Sequence, residues 1–260
     1  MTDQLLAGDG TDDVVLRRDG NVSVVAFNKP DILNAIDSRC GEALLARLHE
    51  ADADPETGAI VLTGTGRAFS AGGDIRNMGK RPLVERVNHR DWDLTYQILA
   101  IEKPLIAMVN GPAIGLGLTI ALLCDCVYAS LDATLGDTHV QFGLVAGDGC
   151  AVTLPLLIGP HRAKELMMSG RLFTGAEAER LGIVNHAVPA DELAAQTMTF
   201  AHDLASKPAF AVRATKALIN RHVRASVHEV LDAGLAWERM SMRMPEHAEA
   251  VAQRSKPRRG

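Results

Sequence analysis

The chain has 260 residues, 47% of them hydrophobic and 4% aromatic, and a formal net charge of −5. This composition excludes a disordered chain and a small disulfide scaffold, and the acidic balance excludes a global positive field that would gather nucleic acid or an anionic membrane. Cys40, Cys124, Cys126 and Cys150 lack paired metal-ligand spacing and the N-terminus lacks an apolar signal core, so a reduced, cytoplasmic chain with no metal is expected.

Val14 to Arg18 and Val22 to Phe27 read as a hairpin, because β-branched residues flank the turn-forming Asp19-Gly20-Asn21. Asp37 or Ser38 then caps a helix with Gly41, Leu44, Leu45 and Leu48 on one face, which stops near Asp54-Pro55. Ala59 to Leu62 reads as a buried strand, Val84 to Ile101 as a helix with Trp92, Tyr96 and Leu99 on its stripe, and Leu105 to Val109 as strand again. Pro104 to Cys124 is nearly charge-free over a membrane-spanning length. Asn110-Gly111-Pro112 and Gly115-Leu116-Gly117 break it into a strand, a loop and a two-turn helix, so no membrane span is expected. Val127 to Leu135 reads as two short strands, and Ala151 to Met244 as helical apart from a strand at Ile183 to Val188. From about Asp191 the chain reads as a helical appendage, with Arg254 to Gly260 a solvated basic tail. Strands alternating with helices imply an α/β core with mostly parallel strands.

Two glycine-rich junctions, Leu62 to Ile75 and Val109 to Gly117, deliver unpaired backbone N–H groups at helix starts, where an oxyanion or phosphate is well held. Two such amides aimed at one oxygen form an oxyanion hole. Dinucleotide spacing fails, since the third glycine would fall on Phe69 or Ile120, and Gly79-Lys80 runs into Arg81 and is no Walker A loop. Ala68-Phe69-Ser70-Ala71-Gly72 differs from a nucleophile elbow by its first residue, which keeps Ser70 as an alternative nucleophile.

Ala68 to Ile75, Asn110 to Gly117 and Ala121 to Asp125, with Phe27-Asn28-Lys29-Pro30, Asn34-Ala35, Thr174 to Ala178 and Leu181 to Val184, together resemble the enoyl-CoA hydratase/isomerase (crotonase) superfamily. The likeness runs from about Val14 to Met240. It implies an α/β fold with a ClpP-like ββα spiral core over residues 1–190, a C-terminal helical trimerisation region over 191–260, and a homotrimer or a hexamer made as a dimer of trimers. It implies an acyl-CoA thioester substrate, coenzyme A being part of that substrate and no separate cofactor being needed. Carried over by position, the oxyanion amides belong to Gly73 and Leu116, and substrate contacts to Lys29, Ala71, Asp74, Ile75 and Thr119.

Hydratases of this family use two glutamates, and the matching positions here hold Thr119 and His139. A histidine is suited to general base work near neutral pH, and Asp148, nine residues on, can orient its ring. Asp148 also reads as a cap for the helix from Cys150, His139 as a loop histidine on a cap hydrogen bond, and Glu238 as part of a charged, solvated helix face. The spacing of His139 and Asp148, with Glu238, partly resembles the β-diketone hydrolase branch, the 6-oxocamphor hydrolase type, whose second histidine falls here on Leu116 and whose pocket tryptophan falls near Asn34. The expected catalytic residues are His139, Asp148 and Glu238. The expected activity is enoyl-CoA hydratase/isomerase-like, with retro-Claisen C–C hydrolysis of a β-dicarbonyl and non-catalytic acyl-CoA binding as alternatives.

Overall fold

Gly20, at φ +57°, turns the chain between β1 (Val14–Asp19) and β2 (Val22–Phe27), which pair antiparallel with Leu16 opposite Val25. This computed structural model describes residues 12–74 and 90–254. From β2 onward every pairing of the main sheet is parallel, through β3 (Ala59–Gly64), β4 (Leu105–Val109), β6 (Cys126–Ser130) and β9 (His186–Val188), in the order β1-β2-β3-β4-β6-β9. The strands β2, β3 and β4 are buried at every position because both faces are covered. Ile60 and Leu62 of β3 enter one hydrophobic cluster, and Ala59 and Val61 enter the other.

The first cluster lies under α1 (Ser38–Ala53), α2 (Arg90–Ala100), α3 (Leu116–Leu123) and α4 (Cys150–Ser169), with α5 (Gly175–Leu181) and α7 (Ala209–Ser241) completing it. The second lies under α6 (Ala190–Ala205), which seats Leu193, Met198 and Leu204 against Val24, Val61 and Met108. A three-stranded sheet of β5 (Ala113–Ile114), β7 (Thr134–Gly136) and β8 (Phe173–Thr174) stands beside the main one, and α8 (Pro245–Arg254) closes the described chain.

Asp37 caps α1 by accepting from the Cys40 amide, at 2.9 Å. The buried row of α1 is Cys40, Leu44, Leu48 and Ala51, an i, i+4, i+8, i+11 line that leaves Gly41 and Leu45 only half-buried at its edge. In α2 the covered residues are Leu94, Ile98 and Leu99; the stretch from Val84 to Asn88 and the Trp92 side chain lie outside the described residues, as does most of the expected basic tail. Pro104 to Cys124 is β4, a loop, β5 and α3, and no helix among the described residues is long and apolar enough to cross a membrane.

Three details correct the sequence reading. Ile183 to Asn185 is not strand, because Gly182 ends α5 at φ +82° and the Ile183 amide bonds back to the Ala178 carbonyl, at 2.8 Å. The strand β8, two residues long, gave no periodic signal to read. The helix expected from Ala151 is also divided, since Gly159 leaves helical geometry before Pro160. Asp125, between Cys124 and Cys126, pairs with Lys216 of α7 at 2.7 Å and accepts from the Leu105 amide at 2.7 Å, which ties the long helix to one end of β4.

Candidate active site

The loop after β3 is laced to its neighbours by backbone bonds. Ser70 donates its amide to Pro112 (2.9 Å) and accepts from Ile114 (3.0 Å), while Ile36 donates to Gly72 (2.8 Å) and accepts from Asp74 (2.9 Å). In a parallel bridge of this kind Ile36 uses the groups flanking Gly73, so the Gly73 amide turns away from the ladder. Leu116 is the first residue of α3, where a helix leaves its amides without internal partners. Both residues line one cavity of about 920 Å³. Gly72 makes the approach possible: its φ is +91°, and a Cβ there would lie 2.4 Å from the Ile114 carbonyl oxygen.

Ser70 is not a nucleophile. Its hydroxyl donates to the Asn34 carbonyl (2.8 Å) and accepts from the Gly72 amide (3.1 Å), and the residue is fully buried. Its hydroxyl fastens the loop of Gly72 and Gly73.

His139 opens a short 3-10 turn, His139–Phe142, and reaches the same cavity. Its Nδ1 lies 2.9 Å from Asp137 Oδ1, which also accepts the His139 amide at 3.0 Å. Its Nε2 faces Asp148 Oδ2 at 3.6 Å, so the ring stands between two carboxylates. Asp148 Oδ1 accepts from the Thr119 hydroxyl at 2.9 Å, and that hydroxyl also touches Cys150 Sγ at 3.1 Å. Asp148 precedes Gly149, the N-cap of α4, and is not itself the capping residue. Glu238, read from the sequence as open to a solvated-face role, is 8% exposed and contributes its charge to the surroundings of His139.

Burial disfavours charge on the His139 ring, but the negative charges of Asp148, Asp137 and Glu238 outweigh it and push its pKa up to about 10. For Asp137 burial works against ionisation, yet the hydrogen bond and charge of His139 hold its carboxyl below the usual range. For Asp148 burial, reinforced by the Asp137 charge, prevails over the His139 charge and the Thr119 hydroxyl and lifts its carboxyl above that range. The surroundings therefore favour a protonated His139 ring beside an ionised Asp137. A folded-state pKa above the ordinary 6.5 makes a contribution to stability that is complete below about pH 6.5, declines above it and is gone beyond about pH 10. Denaturant unfolding should show wild type losing about 1 kcal/mol per pH unit across that window relative to His139→Gln. Parallel stability curves for the two proteins would show that His139 is not held protonated.

Of the other expected site residues, Ala71 and Asp74 line the cavity, while Thr119 is fully buried behind it and acts on Asp148. Lys29 pairs with Asp37 at 3.0 Å and lies 3.9 Å from Asp13. Ile75 lies outside the described residues. Sequence reasoning missed Asp137, although an Asp-x-His run in a loop is a signal for carboxylate support of a ring nitrogen. Asp137, Asp148 and Cys150 bring donor atoms within 4.8 Å of one another. His139 already serves as counter-cation to both carboxylates, and burial keeps the Cys150 thiol well above its ordinary pKa, protonated and a poor metal ligand.

A parallel sheet whose loops bring Gly73, Leu116 and His139 to one cavity, with the His139 ring backed by the buried Asp137 and Asp148, defines an enzyme site. Residues 17–252 match the enoyl-CoA hydratase/isomerase family model. A probable enoyl-CoA hydratase of Mycobacterium bovis is 33% identical over 226 residues, covering 87% of this chain and 86% of that protein. The 2,3-dehydroadipyl-CoA hydratase of Escherichia coli is 33% identical over 231 residues, covering 87% of this chain and 88% of that protein. An enoyl-CoA hydratase/isomerase structure from Mycobacterium paratuberculosis superposes with a TM-score of 0.86 at 33% identity, over 95% of this chain and 100% of that one. The chain belongs to the enoyl-CoA hydratase/isomerase family and has the crotonase fold.

Proposed function

We propose that the protein acts on an acyl-CoA thioester whose carbonyl oxygen is held by the amides of Gly73 and Leu116 while His139 and Asp148 move the proton. The observation that carries this reading is the 2.9 Å bond from Thr119 to Asp148. Position 119 is where the hydratase pattern places its first glutamate, and the side chain there is bonded to a carboxylate from the loop at 148.

Enolate charge collects on the thioester oxygen, and preorganised amides stabilise it without rearranging; one such donor is typically worth ~3 kcal/mol. The buried ion pair of His139 and Asp148 explains how a ring charged at rest can serve as a base. Burial penalises both charges, and the raised pKa of Asp148 favours passing the Nε2 proton to it. Nε2 then accepts a proton from water, or from the carbon beside the carbonyl, while Nδ1–H stays on Asp137. Addition of water to a 2-enoyl-CoA and movement of its double bond both follow from this chemistry, with coenzyme A entering only as part of the substrate.

A second reading is favoured by one observation: carboxylates face both ring nitrogens of His139, an arrangement suited to activating water. Water would then attack one carbonyl of a β-dicarbonyl, the C–C bond would break, and the departing enolate would be held by the two amides. For assembly, a homotrimer or hexamer is supported by Phe210, Leu218 and Ile219, apolar side chains exposed along α7.

The test is turnover of crotonyl-CoA, a 3-enoyl-CoA, a β-ketoacyl-CoA and a cyclic β-diketone by wild type and His139→Ala, with products identified by mass spectrometry. A fall of about 10²- to 10⁴-fold in the variant is expected. Hydration that persists in His139→Ala would remove this residue from the mechanism. Cleavage of dicarbonyls alone would select the second reading, and tight CoA-thioester binding without turnover would make the protein a binder.

A further inference from the structure

The cavity wall holds a second imidazole that neither the proton-transfer cluster nor the paired amides use. His247, near the start of α8, lines the cavity and is half-buried. Its Nδ1 lies 2.7 Å from the carbonyl oxygen of Phe142, the last residue of the 3-10 turn that carries His139. A carbonyl only accepts, so Nδ1 carries the proton of that bond and a neutral ring presents Nε2 as a bare acceptor. Nε2 has no hydrogen-bond partner among the described residues. Phe142, Leu144, Met242 and Val251 line the same cavity, so an acceptor among these apolar side chains distinguishes between ligands.

From this geometry we propose that His247 is a specificity-determining residue, whose Nε2 accepts a hydrogen bond from a hydroxyl on the acyl chain, so that hydroxylated acyl groups are preferred over plain ones. The proposal rests on the acyl-CoA reading above. The fixed tautomer sets the sign of the preference. An acceptor in an apolar wall gains nothing from a hydrocarbon chain and loses its own hydration to it. A hydroxyl donor at the right carbon restores that bond.

Isothermal titration of wild type and His247→Asn with hexanoyl-CoA and with the acyl-CoAs hydroxylated at carbon 4, 5 or 6 of the same chain tests it. Asparagine retains a donor where Nδ1 stands, and so keeps the bond to Phe142, but nothing reaches the Nε2 position. Wild type should bind one of the hydroxylated compounds about tenfold more tightly than hexanoyl-CoA, and His247→Asn should lose that margin. Equal binding of all four compounds by wild type, or a margin that survives in His247→Asn, would overturn the assignment. Absence of binding to every CoA thioester would instead overturn the acyl-CoA reading on which it stands.

Discussion

Asp148→Asn is expected to reduce kcat by about 10²- to 10⁴-fold while the protein remains folded. Asparagine keeps the size of the side chain and an acceptor for the Thr119 hydroxyl, so the cluster geometry survives. It cannot take up a proton, and Nε2 of His139 then has nowhere to pass its own. The charge of Asp148 is also the strongest influence raising the His139 pKa, so the ring should titrate at lower pH in the variant. The residual rate should therefore climb with pH along a curve displaced to the acid side of pH 10. Thr119→Val, which removes only the hydroxyl that aims Asp148, should lose about tenfold. Wild-type kcat in Asp148→Asn, at any pH, would exclude the shared proton between these two residues.

Gly72→Ala is expected to lower kcat/KM by about 10²- to 10³-fold, the cost of displacing an oxyanion donor. The added methyl would stand 2.4 Å from the Ile114 carbonyl oxygen, at a backbone angle of +91° that L side chains rarely adopt. Relief requires the segment at 70–74 to part from the segment at 113–116, and these carry Gly73 and Leu116. Strain and overpacking should together cost roughly 1–3 kcal/mol of stability. The rate must be compared at a temperature where circular dichroism shows the variant fully folded. Under those conditions an unchanged kcat/KM would mean that the spacing of the two amides does not matter to the chemistry.

Much of the sheet was legible because its central strands are buried on both faces and read as largely apolar runs between turn residues. The glycine junctions, His139 and Asp148 were legible as local motifs. Contacts between distant segments were not, and they decide what those residues do. Thr119 and Asp148 are 29 residues apart, and nothing in either neighbourhood announces that one aims the other. Glu238 lies in a helix of mixed charge, whose pattern cannot reveal that its 33-residue span brings position 238 against the loop at 147. His247 belongs to the last described helix, 105 residues from the carbonyl it bonds. Short strands such as β8 escape for a different reason, since two residues have no period.

The meeting of Gly147 with Gly234 sets a limit on when the site can come into being. The backbones pass so closely that a Cβ on Gly147 would lie 2.3 Å from the Gly234 carbonyl oxygen, and Val145 donates its amide to Ser241 at 3.1 Å. All strands of the main sheet have been made once Val188 is added, but these supports for the loop of His139 and Asp148 belong to the chain's final quarter. During synthesis the N-terminal part folds first. A ribosome-bound chain that stops short of α7 therefore lacks both part of its first hydrophobic cluster and the backing for the loop of His139 and Asp148. Core and site are completed by the same helix, so neither is finished before the chain's final quarter has been made.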